Sequence, residues 1–204
     1  MLATHSIVSA DSLDPAFIAQ VLEPYRPTRT DYLRSASVIQ SCLWDDGTDG
    51  RPILTLQGRY SIPTSCYIRN TGHFNAVEFL ICYNQLAYVA FGYIVRARML
   101  DEDGLLNVSP AARDQFSKLT FEDFRRRQLS SMLILKTSTR FKAPIAAESF
   151  TGELQLLKMF YRNRTCFATS FCAFRDDQGG YAEGEVLLGY PLRSHAVLAG
   201  SILP

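Results

Sequence analysis

HFNAVEFLICYNQLAYVAFGYIVRAR, residues 73–98, decides the fold. At 3.6 residues per turn it makes about seven turns of helix, with apolar residues nearly all the way round. A helix that is apolar on every side is buried. Asn75, Glu78, Asn84 and Gln85 make this one too polar to sit in lipid. In a chain of 204 residues something must wrap around such a helix, and most of the remaining sequence reads as strand.

Downstream, SSMLILKTSTRF (130–141), ELQLLKMFYRN (153–163), RTCFATSFCAFR (164–175) and YAEGEVLLGY (181–190) are β-like runs, with DDQGG as a hairpin turn between the last two. Upstream, YLRSASVIQSCLW (32–44) and ILTLQGRYSI (53–62) flank the turn DDGTDGRP as another hairpin. Asp14-Pro15 opens a short helix with Phe17, Ile18, Val21 and Leu22 on one stripe; Pro24 and Pro27 end it and leave Tyr25 in an irregular segment. Pro63–Gly72 is a loop carrying Tyr67, Arg69 and Thr71. Thr120 followed by Asp123 predicts a short amphipathic helix at 121–127, and 99–119 reads as a surface excursion. The order predicts one α+β domain over 14–190, a long central helix wrapped by a curved antiparallel sheet, with tails at 1–13 and 191–204.

Lys plus Arg number 21 and Asp plus Glu 20, for a net charge of +1. That balance argues against nucleic acid, whose phosphates demand a basic surface. Hydrophobic residues make up 47% of the chain, enough for a real core, but no run reaches the ~18 uninterrupted apolar residues of a membrane span. The start, MLATHSIVSADSLD, lacks a basic region followed by an apolar one, so a cytoplasmic location is the expectation, with no membrane partner. Five Cys without a CxxC pair fit reduced thiols. No HxH, HExxH or CxxC spacing is present, nor GxGxxG, GxxxxGK or GxSxG. Neither metal nor cofactor is expected, and the usual hydrolase nucleophile elbow is excluded.

YIRNTGHFNAVEFLICYNQLAY (67–88), QLSSMLILKTSTRFKAPI (128–145) and LEPY (22–25) closely resemble the FcoT family of hotdog-fold proteins, over most of residues 14–190. The resemblance implies a hotdog fold, usually a dimer or dimer of dimers with active sites built across the interface. It also implies a two-step activity, known for the family in isonitrile lipopeptide pathways. Glycine adds through its amine to the β-carbon of a trans-2-enoyl thioester on an acyl carrier protein. Water then cleaves the thioester and releases a 3-(carboxymethylamino) fatty acid. A plain acyl-CoA or acyl-carrier-protein thioesterase is the first alternative, and a non-catalytic acyl-binding module the second. In the family the polar site residues are the tyrosines of LEPY and YIR and the Asn of HFNAVE, which match Tyr25, Tyr67 and Asn75.

Both steps put negative charge on the thioester oxygen, so one preorganised donor set serves both. The free N–H groups at the start of the long helix, His73–Asn75, are the expected oxyanion site, with Gly72 allowing close backbone approach. A phenol at Tyr67 or Tyr25 can donate to that oxygen or orient water; otherwise both simply bury rings. Asn75 positions the carbonyl or caps the helix, and both uses are compatible. Asn84, nine residues on, is half a turn out of phase with it. The two serve one pocket only if subunits share it; otherwise Asn84 is a structural amide. His73 or Glu78 takes the proton from the glycine ammonium or from water, unless His73 bonds only to backbone and Glu78 pairs with Arg69. The glycine carboxylate calls for a cation. Lys136 and Arg140, on one strand face with Met132, Ile134 and Ser138, are candidates, or else ordinary solvated charges. Arg125, Arg126, Arg127 and Lys142 could meet an acidic carrier protein or be a solvated basic surface. Cys82 reads as a small buried hydrophobe, and Phe79, Tyr83 and Phe91 are the residues whose direction sets pocket depth.

Overall fold

The computed structural model describes residues 11–41, 52–68, 72–101 and 105–191. In chain order the elements are β1 (Asp11–Ser12), α1 (Pro15–Val21), a 3-10 turn (Glu23–Tyr25), β2 (Leu33–Ser41), β3 (Leu54–Tyr60), α2 (Ala76–Arg96), a second 3-10 turn (Met99–Asp101), α3 (Pro110–Phe116), α4 (Phe121–Ser131), β4 (Leu133–Ala143), β5 (Phe150–Arg162), β6 (Thr165–Arg175) and β7 (Tyr181–Pro191). The strands form one sheet in the order β1-β2-β3-β5-β6-β7-β4, every named pairing antiparallel. The sheet wraps α2, and the expected α+β hotdog arrangement is what the chain adopts.

Along β5, β6 and β7 burial alternates with period two, so one face packs on α2. Phe74, Phe79, Phe150, Phe174 and Tyr60 form the aromatic centre at the N-terminal half of α2. Ring centroids lie 4.8 Å apart for Phe74 and Phe150, and 5.0 Å for Phe79 and Phe174. Deeper in, the Tyr83 and Ser170 hydroxyls share a 2.8 Å hydrogen bond. Gln85, fully buried, accepts the Leu33 N–H at 2.8 Å and donates to the Thr30 carbonyl, pinning the segment after Tyr25 to α2. By length and composition α2 could cross a membrane, but 72% of its apolar window is buried inside this fold.

Four sequence expectations change. The long helix starts at Ala76, not 73, because Asn75 is its extended N-cap. The helix expected at 121–127 runs to Ser131, started by Thr120 Oγ1 accepting the Asp123 N–H at 3.0 Å. Residues 99–119 are no surface excursion: Met99, Leu100, Ala112, Phe116 and Leu119 are buried, and Phe116 packs its ring 5.8 Å from Phe91 and 5.5 Å from Tyr190. Apolar side chains spaced through a polar stretch find the end of α2 and close the core there. Part of the expected N-terminal tail is strand, with Asp11 and Ser12 opposite Val38 and Ser37. Residues 1–10 and 192–204 lie outside the described residues, as does most of the turn expected at DDGTDGRP.

Candidate active site

Asn75, Tyr67 and Glu78 meet where the chain enters α2. Asn75 has φ −122° and ψ 179°, and its Oδ1 accepts the N–H groups of Val77 at 3.0 Å and Glu78 at 3.2 Å. Glu78 answers by accepting the Asn75 N–H on Oε2 at 3.1 Å, which completes a capping box. The Tyr67 hydroxyl donates to the same Asn75 Oδ1 at 2.9 Å. Three donors on one atom fix the amide's orientation, because Nδ2 cannot accept from any of them. Nδ2 keeps both its N–H donors, and it makes no hydrogen bond among the described residues. Glu78 is 2% exposed and makes no ion pair among the described residues, whereas Tyr67 is 48% exposed. The site therefore has a buried carboxylate at its base and an open phenol at its mouth.

The expected row of free backbone N–H groups is largely spent. Phe74 donates to the Ile145 carbonyl at 3.0 Å, Asn75 to Glu78, and Val77 and Glu78 to Asn75. From Phe74 to Glu78, only the Ala76 N–H has no partner among the described residues. The donors left over at this junction are thus Asn75 Nδ2 and that one N–H, while the single Tyr67 O–H proton is held by Asn75 Oδ1. Gly72 has φ +78° and open space where a Cβ would stand, so its role is the left-handed turn into the helix rather than a tight approach.

Other expected site residues do not converge here. His73 is exposed and pairs with Ala146 as an isolated bridge; its imidazole makes no hydrogen bond among the described residues. Asn84 is half-buried on α2, about 13 Å along the axis from Asn75. Tyr25 packs on Tyr88 instead, with ring centroids 6.1 Å apart. Tyr88 is the polar neighbour that sequence reasoning missed; its position in the resembling motif was visible, but nothing in one sequence pairs it with Tyr25.

Lys136 and Arg140 are corrected. A β-bulge between Ile134 and Lys136 breaks the expected alternation. Ile134 pairs with buried Leu188 and faces the core, whereas Lys136 and Arg140 are exposed and pair with Leu187 and Glu183 on the opposite face. Lys142 is held by Glu183 at 2.7 Å and lies over the Tyr181 ring, and Arg126 pairs with Glu122 at 3.2 Å. Arg69 lies outside the described residues. Among the described residues no three His, Cys, Asp or Glu side chains come together as a metal site would require.

Burial raises the tyrosines around α2 above the ordinary 10.0: Tyr25 and Tyr88, and deeper in the core Tyr60 and Tyr83. Tyr25 is therefore a neutral hydrogen-bond donor at working pH, not a phenolate base. A group whose folded pKa is raised stabilises the fold fully below its unfolded value, and that contribution is lost as pH rises through the folded value. Melting temperature should hold up to about pH 10 and fall above it. The phenolate absorbance of these four tyrosines should appear together with unfolding; ionisation of all ten tyrosines in a chain that keeps its full ellipticity would disprove the burial of these hydroxyls.

The profile of the FcoT-like thioesterase domain matches residues 20–190. A protein from Streptomyces coeruleorubidus named (2E)-enoyl-[ACP] glycyltransferase is 35% identical over 182 residues, covering 87% of this chain and 96% of that protein. One of the same name from Mycobacterium marinum is 36% identical over 174 residues, covering 84% and 83%. Among solved structures, a mutant thioesterase from Pseudomonas aeruginosa is similar at TM-score 0.41 and 9% identity, covering 92% of this chain and 100% of that one. The match of the family profile spans everything from the end of α1 to β7, including the Tyr67–Asn75–Glu78 junction, and the chain belongs to the FcoT-like thioesterase family.

Proposed function

We propose that this protein adds glycine to the β-carbon of a trans-2-enoyl thioester on an acyl carrier protein and then hydrolyses the thioester, releasing a 3-(carboxymethylamino) fatty acid. Two relatives of that name, similar along most of their length, support the reaction class. The observation that carries the chemistry is the Asn75 amide, whose Oδ1 is saturated by three donors while Nδ2 is left to donate.

In this scheme the thioester oxygen takes one hydrogen bond from Asn75 Nδ2 and a second from the Tyr67 hydroxyl, whose one proton turns to it from Asn75 Oδ1 and leaves that oxygen to the Val77 and Glu78 N–H groups. The glycine amine, having lost a proton to Glu78 or His73, attacks the β-carbon. The C=C electrons move onto the thioester oxygen as an enolate, and a proton returned to the α-carbon restores the carbonyl. Water then attacks the carbonyl carbon, the same donors hold the oxyanion, and the carrier thiol leaves with a proton. The glycine carboxylate needs a cation other than Lys136 and Arg140, which face away from the junction. That outward direction favours the second reading, a plain thioesterase that needs no amino-acid site.

Phe79, Tyr83 and Phe91 fill the space between α2 and the sheet, each 3% exposed or less. The acyl chain accordingly takes the less buried side of α2, where Val77 is 42% exposed and Leu80, Ile81 and Asn84 are half-buried. A second copy of the chain closing over that side brings its Asn84 to the shared pocket, so the enzyme works as a homo-oligomer.

Mass spectrometry of products from a short trans-2-enoyl carrier thioester, with and without glycine, is the test. A glycine-dependent 3-(carboxymethylamino) acid is the expected product. Free enoic acid alone, unchanged by glycine, would replace the reading with the plain thioesterase.

A further inference from the structure

The β6–β7 hairpin, far along the chain from Asn75, is built into the entry of α2. Asp176 Oδ1 accepts the N–H groups of Gln178 at 2.9 Å and Gly180 at 2.7 Å, an ordinary use of Asp at a turn. Its other oxygen, Oδ2, accepts the Ala146 N–H at 2.6 Å, across 30 residues of sequence. Ala146 belongs to the segment between β4 and β5 that holds the chain just before the helix. The Ile145 carbonyl accepts the Phe74 N–H at 3.0 Å, and the Ala147 N–H donates to the Gly72 carbonyl at 3.3 Å. His73 and Ala146 face each other as an isolated antiparallel bridge between these two bonds. The far side of the segment is tied as well, since the Ala147 carbonyl accepts the Ile62 N–H at 2.8 Å. The hairpin lies directly on this segment: a Cβ at Gly180 would stand 2.3 Å from the Pro144 carbonyl oxygen and 2.7 Å from Ile145 Cα.

We propose that Asp176 is a positioning residue for the Tyr67–Asn75–Glu78 site. It holds the 145–147 segment at the height where Gly72 and Phe74 can bond to it, and so sets the direction in which Asn75 enters α2. The inference rests on the reading of Asn75 as a group that touches substrate. Asp176 itself touches none.

A turn-capping Asp and a positioning Asp respond differently to amide replacement. In Asp176→Asn the carbonyl oxygen can still accept from Gln178 and Gly180, but the NH2 group then faces the Ala146 N–H, donor against donor. In Asp176→Ala both functions are lost. The full-length wild type and both variants should be compared in steady-state turnover of the enoyl carrier thioester and in amide hydrogen exchange. Asp176→Asn is expected to keep KM within about twofold and lose kcat roughly 10-fold, the scale on which small misplacements of catalytic groups act. Exchange should quicken at Phe74, Val77 and Glu78 while the strands keep their protection. Wild-type kcat with wild-type exchange over 72–78 would overturn the proposal. So would a loss of activity accompanied by uniformly faster exchange along the whole chain, because that is plain destabilisation. If the wild type releases no product, the proposed function fails and exchange alone decides the role: acceleration confined to 72–78 upholds it, and its absence overturns it.

Discussion

Asn75→Asp is expected to fold like the wild type and lose about 100- to 1,000-fold in turnover. A carboxylate can accept the same three hydrogen bonds that Asn75 Oδ1 accepts, from Val77, Glu78 and Tyr67. Asp is as good an N-cap as Asn, and a negative charge at a helix start is favourable. The neighbouring Glu78 carboxylate sets a like charge three residues away, worth a few tenths of a kcal/mol against it. These effects nearly cancel, so the melting temperature should barely move. What disappears is Nδ2, the donor with no partner among the described residues. In its place stands a negative charge where the thioester oxygen becomes negative in both chemical steps. Wild-type turnover in a correctly folded Asn75→Asp variant would reduce Asn75 to a helix cap and remove the carbonyl contact from the scheme.

Phe74→Ala is expected to cost about 3–5 kcal/mol of folding free energy. Phe74 is 4% exposed, and its ring meets Phe150 at 4.8 Å, Phe174 at 5.1 Å, Phe79 at 6.1 Å and Phe141 at 6.4 Å. Those partners come from α2, β4, β5 and β6, so truncation leaves a void where four elements converge. For a domain of this size the loss lowers the melting temperature by on the order of 10 °C. Alanine keeps the backbone N–H bonded to Ile145, but the void left beside it loosens the entry to α2, so activity should fall further than the unfolded fraction explains. Denaturant unfolding of the variant is the check. A loss below about 1 kcal/mol would mean that the ring is not central to the core.

Much of this architecture was legible in the chain because the strongest signals are periodic. The apolar run after Asn75 and the alternating runs after residue 150 announced a buried helix and its sheet, and the capping use of Asn75 was visible from its place before that run. What failed depended on contacts distant in sequence or on local irregularity. The bulge after Ile134 turned Lys136 and Arg140 away from the face that strict alternation gave them. Phe116 sits in a polar stretch that looked external, and its partners Phe91 on α2 and Tyr190 on β7 are distant in sequence. Tyr25 found Tyr88 rather than Asn75, because Gln85 pins the segment that follows it farther down the helix. The family resemblance named the tyrosine but not its neighbour.

The strand order has a consequence for how the protein is made. β3, completed at Tyr60, pairs with β5, which begins at Phe150; among the described residues β4 pairs only with β7, which ends at Pro191. During translation, at about 5–20 residues per second, α2 leaves the ribosome several seconds before most of its sheet exists. Until β5 arrives, the apolar sides of α2 have only the N-terminal third of the chain to cover them, and β4 waits unpaired until the last strand slots in beside β6. The nascent chain therefore exposes an adhesive helix and an open strand edge together, a state that favours chaperone capture.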